Sequence, residues 1–146
     1  MHPYPHTYSA AAAGNPAGLV EVTASQLPTI QSAPPPEFDG PGGVWSPETL
    51  LCAALAACFI LTFRAVSRAA KLNWLHLDCR VDGVLERVER TSQFTRFSNI
   101  VNLIVSPGTD VGAARKLLEQ AEHGCLIANS LRAARSLTAE VSAREA

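Results

Sequence analysis

The first 63 residues contain no lysine and no arginine. All 12 basic residues of this 146-residue chain lie at Arg64 or later. The only charges before that point are Glu21, Glu37, Asp39 and Glu48, so this half carries −4 while the remainder carries +3. A net charge of −1 with no concentrated basic stretch argues against nucleic-acid binding. Other absences narrow the field further. The opening Met1-His2-Pro3-Tyr4-Pro5 has neither a basic segment nor an apolar core, and does not read as a secretory signal. The longest uncharged apolar run, Thr49 to Phe63, is 15 residues, shorter than the roughly 20 a membrane span needs. A soluble, cytoplasmic chain with no membrane partner is expected. Cys52, Cys58, Cys79 and Cys125 include no CxxC pair, so no metal and no cofactor is called for, and a cytoplasmic setting disfavours structural disulfides.

What is present fits one domain spanning residues 1–146, with 47% hydrophobic and 17% charged residues. Nine of the ten prolines fall at or before Pro47, which limits helix in that region. His6 to Ala13 reads as a strand, and Gly14-Asn15-Pro16-Ala17-Gly18 has turn chemistry. Leu19 to Ser25 reads as the hairpin partner and Leu27 to Ala33 as a third strand. Pro34 to Gly43 is an irregular loop of the kind that often carries function.

Ser46-Pro47-Glu48 is a helix start: serine caps, proline suits the first helical position, and glutamate suits the positive end of the helix dipole. The helix is expected to run to about Lys71. From Leu50 to Phe63 it is apolar on every side, which predicts burial all round. So small a chain cannot supply that cover alone, and a dimer with this helix near the interface is expected. Trp74 to Arg90 and Ser92 to Val105 alternate as strands. Thr109-Asp110 caps a helix through about His123, with Gly124 ending it. Cys125 to Leu131 reads as a short helix and Ser136 to Val141 as a closing strand. The order βββ-α-ββ-α-α-β is α+β.

Four segments carry a family likeness: Pro34 to Gly43, Ser46-Pro47-Glu48-Thr49-Leu50-Leu51, Ala56-Ala57-Cys58-Phe59, and His123-Gly124-Cys125 through Asn129-Ser130-Leu131. In this order and spacing the chain resembles the OsmC/Ohr family, the osmotically inducible and organic hydroperoxide resistance proteins. The resemblance implies an intertwined homodimer with central buried helices and active sites at the interface. It also implies a cysteine-based peroxidase for organic hydroperoxides. Cys58 would be the peroxidatic thiolate and Cys125 the resolving thiol. An external dithiol, of lipoyl or thioredoxin type, would regenerate the pair.

The same resemblance gives Glu48 a role, pairing with an arginine from the N-terminal strands that orients the peroxide and supports the thiolate. No arginine precedes Arg64, and Asn15-Pro16 stands roughly where it is expected. Leu126 also replaces the proline that usually follows the second cysteine. Cys58 lies about three turns into its helix, so the dipole gives it little help, and burial raises a thiol pKa. A cation should compensate, with His2, His6, His123 or an arginine of the second half as candidates. By the bland reading Cys58 is a buried apolar residue and Cys125 a buried helix cap. Cys52, about 120° around the helix from Cys58, should face packing, and Cys79 should be core. His76 and the basic set Arg87, Arg90, Arg96, Arg115, Lys116, Arg132 and Arg135 should be solvated. Two alternatives remain: a protein of this fold that binds a lipid or small metabolite in its apolar dimer cleft, and a stress-associated dimer with inert thiols.

Overall fold

In the computed structural model, which describes residues 1–145, the chain forms two compact units divided between Leu51 and Cys52. The first holds three short antiparallel strands in the order β1–β2–β3: β1 (Ala11–Ala13), β2 (Val20–Thr23) and β3 (Ile30–Ser32). The strand expected over His6 to Ala13 shrinks to three residues. Pairing starts at Ala11 opposite Thr23, where β2 ends, so earlier residues have no strand to bond to. A single 3-10 turn, Pro36–Phe38, interrupts the proline-rich loop.

Helix α1 (Pro47–Ala69) starts as the sequence predicts. The Thr49 amide donates to Ser46 Oγ at 3.1 Å and the Ser46 amide donates to Thr49 Oγ1 at 3.0 Å. This reciprocal cap satisfies two donors, as a capping box does.

The second unit is a three-stranded sheet, β4 (Trp74–Val88), β5 (Thr91–Val105) and β6 (Ala134–Ala143), in the order β4–β5–β6. β4 and β5 form a long hairpin turned by Glu89 and Arg90, both at positive φ, as a two-residue type I′ turn requires. β6 runs parallel to β5 from Arg96 opposite Ala134 to Val105 opposite Ala143. A parallel neighbour demands a crossover, supplied by α2 (Val111–Gly124) and the four-residue α3 (Leu126–Asn129). Asp110 caps α2 by accepting from the Ala113 amide at 3.2 Å. Gly124 is the last residue of α2 and Cys125 links the two helices.

Phe59 and Phe63 of α1 lie in one apolar cluster with Leu77, Val101, Leu103 and Val105 of the sheet and Ala114, Leu118 and Ala121 of α2. Trp74 meets Phe63 edge-on at 5.2 Å and its indole N–H donates to buried Ser67 at 2.9 Å. The expectation that α1 is covered on every side does not hold within one chain. Only Leu55, Phe59, Phe63 and Ser67 of its 23 residues are buried, a single i, i+4 stripe. Ala54, Ala57, Leu61 and Ala65 on another face are exposed, Leu61 by 58%. The helix is long and apolar enough to cross a membrane by length and composition alone. Its aromatic stripe instead belongs to the core cluster of the second unit.

Candidate thiol pair site

Three elements of the second unit build the site. α1 presents Cys58, half-buried, four residues before Phe63's neighbour Thr62. The end of α2 comes close at this point: a β-carbon on Gly124 would sit 3.3 Å from the Thr62 methyl, so glycine permits the approach. Cys125, 1% exposed, follows directly and opens α3. The two thiols, 67 positions apart in sequence, thereby become neighbours, each shifting the titration of the other.

Burial pushes the Cys58 thiol up, but hydrogen bonds outweigh it and hold it below the ordinary value of 9.0. The groups that lower it are the Ile127 amide, the Cys125 thiol, the Thr62 side chain and the Leu126 amide. Each favours the thiolate because it bonds to the charged form. Thr62 Oγ1 lies 3.9 Å from Sγ, and its one proton is donated to the Cys58 carbonyl at 2.7 Å. The expected cation is absent from this list. Two backbone amides and a neighbouring thiol lower the Cys58 thiol instead.

Cys125 is the opposite case. Burial, the bond it gives to Cys58, and the nearby charge of Glu122 push it up to about 11, against a lowering bond from the Ala128 amide. A pair so split has one sulfur suited to attack and one that keeps its proton. Cys79, on β4 against the core, is pushed to about 12 by burial, Glu122 and Cys125. Cys52 packs over Gly83 of β4, and burial raises it too. Both match the packing roles expected of them.

Glu48 stands in the first turn of α1, within the N-terminal unit. Its Oε1 is buried and accepts no hydrogen bond among the described residues. The residue lines an apolar cavity of about 530 Å³ with Val20, Val22, Ala33, Pro35 and Phe38. A first-turn dipole partner needs no such burial, so the plain reading of this glutamate is incomplete.

Of the other candidates, His2 and His6 are exposed, with His6 Nε2 2.9 Å from the His2 carbonyl oxygen. His76 pairs with Asp78 at 3.1 Å in solvent. His123 is bonded back to the Glu119 carbonyl at 2.8 Å. None of them is among the groups that shift Cys58. One of the residues expected to be solvated is not: Arg135 pairs with Glu122 at 2.6 Å with its side chain only 26% exposed. Its place depends on the register of β6 against β5, which local charge pattern does not encode. Arg115 stays exposed, as expected, while donating to the Ala139 carbonyl at 2.8 Å.

Comparison with known proteins agrees with this architecture. Residues 40–140 match the family described as OsmC-like protein. The chain is 26% identical over 113 residues, 75% of each sequence, to the uncharacterized protein YmaD of Bacillus subtilis. Among solved structures it is similar to an organic hydroperoxide resistance protein OsmC from Legionella pneumophila. That match has 26% identity and a TM-score of 0.75, and covers 96% of this chain and 99% of the other. An organic hydroperoxide resistance protein from Elizabethkingia anophelis shares the fold at 22% identity with a TM-score of 0.77, covering 98% and 100%.

Proposed function

The chain belongs to the OsmC-like protein family, and from that premise we propose that it is a cysteine-based peroxidase for organic hydroperoxides. The observation that supports the reading is the approach of the α2–α3 turn to α1 at Gly124 and Thr62, which makes Cys125 a neighbour of Cys58, with Cys58 lowered and Cys125 raised. The Cys58 thiolate attacks the terminal peroxide oxygen. The O–O bond breaks, the sulfur becomes a sulfenic acid, and the alkoxide leaves and takes a proton from water. The Cys125 thiol then displaces hydroxide from the sulfenic sulfur, forming a disulfide and, with its proton, one water. An external dithiol of lipoyl or thioredoxin type reduces that disulfide by exchange and is itself oxidised. The family resemblance gives Glu48 a part in orienting the peroxide.

The working unit is a homodimer in the cytoplasm. The exposed apolar face of α1 at Ala54, Ala57, Leu61 and Ala65 supports this, since a patch of that kind is costly to leave in water. Steady-state turnover of an alkyl hydroperoxide with dihydrolipoamide as reductant tests the reading. Wild-type protein should turn over and Cys58→Ser should not. Absence of turnover by the wild type with both dihydrolipoamide and reduced thioredoxin would defeat it.

The apolar cavity of about 530 Å³ favours a second reading, a binding protein of the same fold for a lipid or small metabolite. An apolar molecule carried through purification by a protein without turnover would select it.

A further inference from the structure

The α2–α3 turn that carries Cys125 is held by a set of polar side chains that the thiol chemistry does not use. Arg135, near the start of β6, donates from Nε to Glu122 Oε1 at 2.6 Å. One terminal nitrogen donates to the Glu122 carbonyl, and the other donates to Asn129 Oδ1 at 2.7 Å. The second Glu122 oxygen accepts from Asn99 of β5. Asn129 Nδ2 donates to the His123 carbonyl at 3.0 Å. Cys125 is therefore bracketed in sequence, by Glu122 and His123 before it and Asn129 after it, with one guanidinium joining both ends.

Such a fork needs a planar, multiply donating cation, which arginine supplies and lysine does not. Ion pairs on a surface add little, but here the Glu122 side chain is only 12% exposed. A carboxylate so placed without Arg135 would face Cys125 and Cys79 unneutralised. The turn also carries the Leu126 and Ile127 amides, which lower the Cys58 thiol and open a four-residue helix. A helix that short does not hold its own direction.

We propose that Arg135 is a positioning residue for the thiol pair: acting through Glu122 and Asn129, it fixes the turn so that Cys125 and the Leu126 and Ile127 amides face the Cys58 sulfur. The inference rests on the thiol-pair reading above and adds the device that keeps the pair in register. The guanidinium stands behind the turn, not against the thiolate.

Two readouts test it on the full-length protein. One is the pH dependence of iodoacetamide reaction at Cys58, followed by mass spectrometry. Among the described residues Cys125 is the titratable group that bears on Cys58, and Glu122 is the carboxylate that bears on Cys125. The other is the rate of Cys58–Cys125 disulfide closure after one equivalent of alkyl hydroperoxide. Arg135→Ala should move the Cys58 midpoint up by about one pH unit, a roughly tenfold loss of thiolate on the acid side, and slow closure about tenfold. Arg135→Lys should recover part of each effect. Arg132→Ala, which removes an equal charge at an exposed neighbouring position, should change neither.

Where Arg135→Ala does not fold, Asn129→Ala breaks the clamp at an exposed position and should shift both readouts the same way. A folded Arg135→Ala protein with a wild-type midpoint and closure rate would overturn the proposal, as would unchanged Asn129→Ala if the arginine variant is unfolded. If the wild type loses no thiols to hydroperoxide, the peroxidase reading fails, and the alkylation midpoint still decides the positioning role by itself.

Discussion

At the residue scale the question is how a partly buried thiol without a cation becomes a nucleophile. Cys58 is raised by burial and lowered further by donors, two of which are backbone amides. Sequence letters name side chains, so a search for lysine, arginine or histidine could not find them. The cysteines themselves were legible, since Cys58 and Cys125 sit in recognisable local settings. Their adjacency was not, because the β4–β5 hairpin and α2, which lie between them in sequence, create it. A selective labelling experiment follows. At pH 8 a thiol titrating at about 11 is ionised to roughly one part in a thousand. Cys58 should therefore react with iodoacetamide well before Cys125, and before Cys79, which titrates at about 12. Mass spectrometry of partially alkylated protein reads the order. Equal labelling of Cys58 and Cys125 would remove the asymmetry on which the mechanism depends.

At the scale of elements, helix starts were well specified and strand lengths were not. Ser46 and Asp110 cap α1 and α2 through local hydrogen bonds that a four-residue window encodes. Strand ends depend on where a partner strand stops. β1 therefore loses His6 to Ala10, while β6 gains Ala134, Arg135, Ser142 and Ala143 beyond the alternating core Ser136 to Val141, because β5 is long enough to pair with them. Gly83 shows the same limit at one contact. A β-carbon there would lie 2.9 Å from a Phe97 ring carbon, 3.0 Å from Phe94 and 3.0 Å from the Cys52 sulfur, so the glycine lets α1 lie against β4. Gly83→Ala should cost about 1–3 kcal/mol, the usual range for overpacking a filled space. Urea unfolding of the variant measures this, and an unchanged midpoint would contradict the packing.

At the scale of the molecule, the apolar length of α1 is the dominant fact left over. One stripe enters the core and another face of alanines and Leu61 stays in water within the single chain. The sequence showed the excess of apolar surface but not which side a second copy would cover. Sedimentation equilibrium should give twice the chain mass of 15.5 kDa at micromolar concentration. Leu61→Glu should shift it toward one chain mass by placing a charge in the contact. A wild-type protein that stays monomeric would refute the dimer.

The central claim, that Cys58 attacks and Cys125 resolves, is tested most directly by a single turnover. Reduced protein is mixed with one equivalent of cumene hydroperoxide, quenched with an alkylating agent, and its thiols are mapped by mass spectrometry. The account predicts rapid loss of two thiols, Cys58 and Cys125, joined in one disulfide. In Cys125→Ser it predicts a sulfenic acid that stays on Cys58. Four intact thiols, or a disulfide that forms without Cys58, would contradict it.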